Sequence, residues 1–299
     1  MASLDLVGTA DPYYINSQLN TLNFTTQITN KPTAAVGDLW VVHILRYGTL
    51  TTPTSTKWTV FGGGHFAGLG GVHSGGKFPM WDAWFFVDDG TSLGTITSFT
   101  SIANQPFFAL VSLWTANGYT PGNGWEYRGT EAQGYIADEN TSGAPDTLDS
   151  SSNTYSTGSG FDDGSGDPYL IFWHAGGGAD GANADTWGAV SWSNTGTLLA
   201  EQTPTSGAST NSAFQSIRWQ DVNPSESEPV IGSLIVDPPT GGVTDNEYGL
   251  WFGGVMYFDG VVAAPPNISP DRVDNAVNYS RVRARSRALP YYLDIGLLD

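Results

Sequence analysis

The chain contains no cysteine. Disulfides and thiolate metal sites are therefore excluded. Charged residues are scarce as well, at 13% against a usual ~25%. Bases are the scarcest of these, with 11 Lys and Arg facing 29 Asp and Glu for a net charge of −18. Such a surface repels phosphates and anionic lipids, so nucleic acid is not an expected partner. No apolar run approaches the ~20 residues of a membrane-spanning helix, and no membrane insertion is expected. The opening Met1-Ala2-Ser3-Leu4-Asp5 has neither a basic nor an apolar leader region. Synthesis in a cytosol without Sec export is the expectation. Long 3.6-residue periodicities with caps are also missing, which argues against helix.

Aromatic side chains are abundant: 11 Trp, 13 Tyr and 14 Phe in 299 residues. They sit in short runs such as Asp38–Leu45, Trp81–Val87, Tyr169–His174 and Tyr248–Phe252. Rings and β-branched residues suit a pleated, half-buried surface. Between the runs lie turn-forming segments drawn from 38 Gly and 17 Pro with Ser, Thr, Asn and Asp. Many short strands between such turns predict an all-β protein, a jelly-roll-like β-sandwich with long surface loops. Strands are expected near 38–46, 57–61, 81–87, 94–100, 106–115, 168–174, 186–192, 197–202, 213–219, 229–236 and 247–258. Several are continuously apolar, which predicts cover on both faces. The segments 62–79, 116–133 and 140–167 read as long loops, the middle one with a short strand near 124–128.

Three segments follow. Residues 1–35 read as N-terminal strands or an arm. Residues 36–264 form the sandwich, with two similar halves at 36–131 and 160–260 as a further reading. The halves echo each other in Gly37-Asp38-Leu39-Trp40-Val41 and Gly166-Asp167-Pro168-Tyr169-Leu170. Residues 265–299 form an extended C-terminal arm after Pro265-Pro266. Charge divides at the same place. The first 271 residues carry six bases and 26 acids, a balance of −20, and the last 28 carry five and three, a balance of +2. Arg281, Arg283, Arg285 and Arg287 alternate, so on a strand they share a face. Leu293, Ile295, Leu297 and Leu298 make an apolar end that needs burial. These eight residues are the candidate partner-docking set.

Motifs for chemistry are weak. Gly71-Val72-His73-Ser74-Gly75-Gly76-Lys77 fits a phosphate-binding loop except that Phe78 stands where Ser or Thr holds Mg²⁺. No catalytic site, metal site or cofactor is therefore expected. Asp162, Asp163 and Asp167 around glycines, and Asp180, Asn183 and Asp185, resemble Ca²⁺ loops but equally suit turns. Glu126, Asp138 and Glu139 are the carboxylates a glycosidase would draw on. His43 and His174 lie on strands, and His65 and His73 share one loop. Trp114, Tyr119, Trp125, Tyr127 and Tyr135 cluster in sequence and are the candidate glycan contacts.

Five stretches together resemble a β-sandwich domain of tailed-phage virion proteins. They are Gly37-Asp38-Leu39-Trp40-Val41-Val42, Trp58-Thr59-Val60, Trp84-Phe85-Phe86-Val87, Ala109-Leu110-Val111-Ser112 and Tyr127-Arg128-Gly129-Thr130. The resemblance covers residues 36–131 and, more loosely, the chain to 260. It implies a non-enzymatic head-decoration, fibre or tail role. It also implies a virion location with assembly in the host cytoplasm and contacts to other virion proteins. The apolar end and the complementary charge of body and arm suit symmetric contacts, so homo-oligomers are expected. A carbohydrate-binding adhesin contacting host surface glycans is the alternative, and a glycan-cleaving enzyme a third.

Overall fold

The computed structural model describes residues 2–48, 53–65, 78–99, 106–129, 131–138, 146–148, 164–180, 190–192, 196–202, 211–223, 234–236 and 246–263. Strands account for all regular structure among them. The first half of the chain supplies β1 (Ser3–Thr9), β2 (Tyr13–Asn16), β3 (Thr21–Asn23), β4 (Leu39–Gly48), β5 (Thr59–His65), β6 (Phe78–Val87), β7 (Thr95–Thr97) and β8 (Pro106–Asn117). The second supplies β9 (Tyr119–Glu126), β10 (Glu131–Asp138), β11 (Asp146–Leu148), β12 (Tyr169–Asp180), β13 (Val190–Trp192), β14 (Thr197–Gln202), β15 (Asn211–Val222), β16 (Leu234–Val236) and β17 (Asn246–Val262). The strands form two six-stranded sheets and two small ones.

Each large sheet is drawn from one half of the chain. The first has the order β1-β8-β4-β6-β5, with β2 also on β8. The second has the order β10-β17-β12-β15-β14, with β9 also on β17. The two connectivities are the same. Taken in chain order, β1, β2, β4, β5, β6 and β8 correspond to β9, β10, β12, β14, β15 and β17. The small sheets correspond too. β3 pairs β7 as β11 pairs β16, and Thr54 bridges Thr97 of β7 where β13 pairs β16. The strand path is thus that of one unit used twice. It covers more of the chain than the short echo in the sequence. Residues 1–35 supply three strands of the first unit, and β9 and β10 start the second at residue 119.

A shared device starts both central strands. Gly37 (φ 96°) and Gly166 (φ 79°) take left-handed backbone that L side chains avoid. Asp38 and Asp167 follow, and β4 and β12 run through the middle of their sheets. One residue joins the units. Gly118, at φ 72°, lies between β8 and β9. A Cβ there would come within 3.1 Å of the Ala2 backbone.

Pairing β4 with β8 and β6, and β12 with β17 and β15, fixes the correspondence residue by residue. On that register Val41 matches Leu170, His43 matches Phe172, and Leu45 matches His174. The odd residues of β4 and the even residues of β12 face the seam between the large sheets. Leu39, Val41, Leu45, Phe61, Phe108 and Trp114 there meet Trp125, Leu170, Phe172, Met256 and Phe258 in one apolar cluster. The even residues of β4 face the other way, into a second cluster. Trp40, Val42 and Ile44 pack there with Leu22, Phe24, Trp58, Trp84 and Ile96. This second cluster belongs wholly to the first unit. The first large sheet is therefore covered on both faces, as its continuously apolar strands predict. In the second sheet, Ile171 and Trp173 on one face and Leu170 and Phe172 on the other are all at 0% exposure. Burying one such side chain contributes about 1.5–3 kcal/mol before entropy is charged against it.

Edge strands are blunted. β1, β5 and β14 each carry a bulge, at Leu6/Gly8, Val60/Gly62 and Leu198/Ala200. Bulges twist an edge away from pairing with another chain.

Candidate functional site

Four of the five proposed sugar-contacting rings, Trp114, Tyr119, Trp125 and Tyr127, belong to the seam. Gly118 turns the chain so that β8 and β9 hold three of them, with Tyr127 just past the end of β9. Trp114 is at 0% exposure, packs 5.1 Å from Phe172 and 4.7 Å from Trp219, and donates Nε1–H to Ser112 Oγ at 2.8 Å. Trp125 is at 5% and meets Phe258 edge-on at 5.1 Å. Neither offers a free face to a sugar. Tyr119 and Tyr127 are half-buried; Tyr119 leans on Phe258 and Tyr127 on Phe61 and Phe85. Tyr135 sits on β10 opposite Leu250, and its side chain lies outside the described residues. The segment 116–133, expected as a loop, is mostly strand.

Glu126 is tied to a cation. Arg128 donates through Nε and Nη2 to Glu126 Oε2 at 3.1 and 3.0 Å, through Nη2 to Asp167 Oδ2 at 2.7 Å, and through Nη1 to Ser165 Oγ at 2.9 Å. Its guanidinium lies 4.7 Å above the Tyr257 ring. One arginine thereby fastens the β9 end to the segment entering β12. Asp167, a candidate Ca²⁺ ligand, is engaged there. Asp162, Asp163, Asn183, Asp185 and Glu139 lie outside the described residues, as do His73 and the Gly-rich run to Lys77. The side chains of His65 and Asp138 also lie outside them. A strand, β6, starts at Phe78 where a phosphate loop would need a helix.

An open cup of about 420 Å³ lies on the first unit, lined by Phe24, Lys31, Trp40, Asp88, Thr91 and Leu93. Its polar groups serve the fold. Lys31 Nζ donates to the Phe24 and Ile28 carbonyls at 2.9 and 2.5 Å, and Trp40 Nε1 donates to Asp88 Oδ2 at 2.8 Å.

No protein-family model matches the chain, and no curated protein matches it. Among solved structures, the chain is similar to one in "The 2.6A structure of Infectious Bursal Virus Derived T=1 Particles". The match has 10% identity, covers 96% of this chain and 84% of that one, and has a TM-score of 0.11. A likeness that distant bears on neither fold nor role.

One polar feature lies deep in the seam. His43 from β4 and His174 from β12 meet edge to face, with centroids 5.2 Å apart and planes at 83°. Both are buried. Burial, and then the neighbouring His174, push His43 well below the usual imidazole value. Burial lowers His174 to about 3 against the opposing pull of the Gln215 amide. Both are neutral at pH 7. Sequence reasoning places these histidines on strands but cannot pair them, because the contact joins residues 131 positions apart. The docking residues Arg281, Arg283, Arg285, Arg287, Leu293, Ile295, Leu297 and Leu298 lie outside the described residues.

Proposed function

We propose that the chain is a non-enzymatic structural protein of a bacteriophage particle, a capsid decoration or a tail or fibre component. It docks through residues 265–299 onto other virion proteins and copies of itself. The observation that carries this reading is the contrast between body and end. The body closes at Val261 and is strongly acidic. The segment after it carries Arg281, Arg283, Arg285 and Arg287 and an apolar terminus. Opposite charge steers association, and apolar burial holds it. Two further features fit. A doubled sandwich whose rings are spent on packing is a stiff building element. Its bulged edges discourage unplanned strand pairing, which leaves attachment to a dedicated segment.

The test is removal of 265–299. The expected product is a folded, soluble, acidic body, judged by circular dichroism and a cooperative melt, that no longer enters particles or oligomers. Normal incorporation of the truncated chain would overturn the docking role. A glycan array probed with the full chain separates this reading from an adhesin: specific glycan capture by a monomer would favour the adhesin.

A further inference from the structure

We propose that the His43–His174 contact makes the seam between the two units acid-sensitive, so that mild acid opens the sandwich there while the first unit keeps its own core. Each unit contributes one imidazole, and the two rings touch across the seam. Neither nitrogen of His43 has a hydrogen-bond partner among the described residues. Its ring lies 5.5 Å from Phe172 and 6.4 Å from Phe61.

Among the described residues, those facing the two rings across the seam carry no charge. Val41 and Leu45 flank His43 on the same face of β4. Leu110 of β8 and Ala83 of β6 are its register partners. β5 presents Phe61 and β12 presents Phe172. Beside His174, β15 presents Gln215 and the register partner Ile217, and the β17 register partner is Phe252. The nearest described charges by register are Arg46 and Asp82 beside His43 and Arg218 beside His174. Arg46 and Asp82 lie on the opposite face of the first sheet and pair with each other at 2.9 Å, and Arg218 is the register partner of Trp173, on the face of β12 away from the seam. A proton on either imidazole would therefore place a cation among aromatic rings, beside a second imidazole. Opening the seam gives that cation water.

The sign follows from proton uptake. The closed seam holds both histidines neutral, while an opened seam lets them take protons at their ordinary ~6.5. Closure is thus fully favoured above that pH and weakens as pH falls toward the lowered closed-state values. Each histidine shifts the opening equilibrium by up to about 10-fold per pH unit, and the pair by about 100-fold. Between pH 6.5 and 5 most carboxylates remain charged, since they titrate near ~4, so the histidine effect stands alone there. None of this depends on the particle role.

The chain's lack of cysteine supplies the experiment. Val41→Cys in the full-length protein puts a single thiol in the seam. Its labelling by a disulfide reagent active in acid is measured from pH 7 to 5, relative to the urea-unfolded chain at each pH. Labelling should accelerate by up to about 100-fold per pH unit. His43→Phe and His174→Leu install the residues that the other unit carries at the matching positions. Each should reduce the slope to about 10-fold, and the double variant should be flat. An unchanged slope in the double variant would overturn the proposal. So would loss of the whole strand signal by circular dichroism in step with labelling. Histidine NMR on the unmodified chain gives an independent check: two of its four histidines should stay neutral at pH 5. Titration of all four near ~6.5 in the closed protein would overturn it without any variant.

Discussion

Arg46 Nε and Asp82 Oδ2 stand 2.9 Å apart inside the first unit, with side chains 0% and 10% exposed. Phe99 lies 5.5 Å from the guanidinium. The matching positions of the second unit hold Ala175 and Arg218, so this ion pair belongs to one unit alone. Asp82→Ala removes a carboxylate from a fully buried guanidinium. It should cost about 3–5 kcal/mol in urea denaturation. Replacing both, as Arg46→Met with Asp82→Leu, should cost far less, because the two desolvation penalties vanish together. Equal losses in the single and double variants would refute this account.

The Arg128 cluster should behave differently. Its side chains are 20–32% exposed, so water screens them. Arg128→Ala should cost only about 1 kcal/mol, with the loss shrinking in high salt. A salt-independent loss of several kcal/mol would mean that packing on Tyr257 dominates.

Trp125→Ala tests the aromatic candidates. Because the ring is buried against Phe258, the substitution should destabilise the fold by about 3–5 kcal/mol. The thermal midpoint should drop by several degrees. A variant with unchanged midpoint but altered glycan capture would return Trp125 to the surface role.

Trp58 stacks on Phe24 at 4.3 Å and donates Nε1–H to the Leu93 carbonyl at 2.7 Å. Trp58→Phe keeps a ring but leaves that buried carbonyl without its donor. The expected loss is about 1–3 kcal/mol, smaller than the ~3–5 kcal/mol of Trp58→Ala. Chemical denaturation of both variants would check the order.

The strands that bury both faces were the most legible in the sequence. Leu39–Leu45 and Tyr169–His174 read as strands because no other element suits unbroken rings and branched side chains. β9 was not legible: Tyr119-Thr120-Pro121-Gly122-Asn123-Gly124 has turn chemistry, and only its pairing with β17 makes it a strand. The Gly-Asp lead-in hinted at the doubled unit, but the correspondence lives in strand pairing, which side-chain identities barely record. The burial of Trp114 and Trp125 was not legible for a related reason. Proximity in sequence to turn residues suggests exposure, yet period-2 alternation on β8 and β9 points Trp114 and Trp125 inward.

The single residue at Gly118 sets how the two units find each other. With no linker to stretch across, each unit faces its mate at a fixed and very high effective concentration. The units can part only about this one residue, and a connection that short favours trading mates with another molecule once the seam is open. After a return to neutral pH, reclosure within one chain therefore competes with exchange between chains, and only the second route quickens as the protein is concentrated.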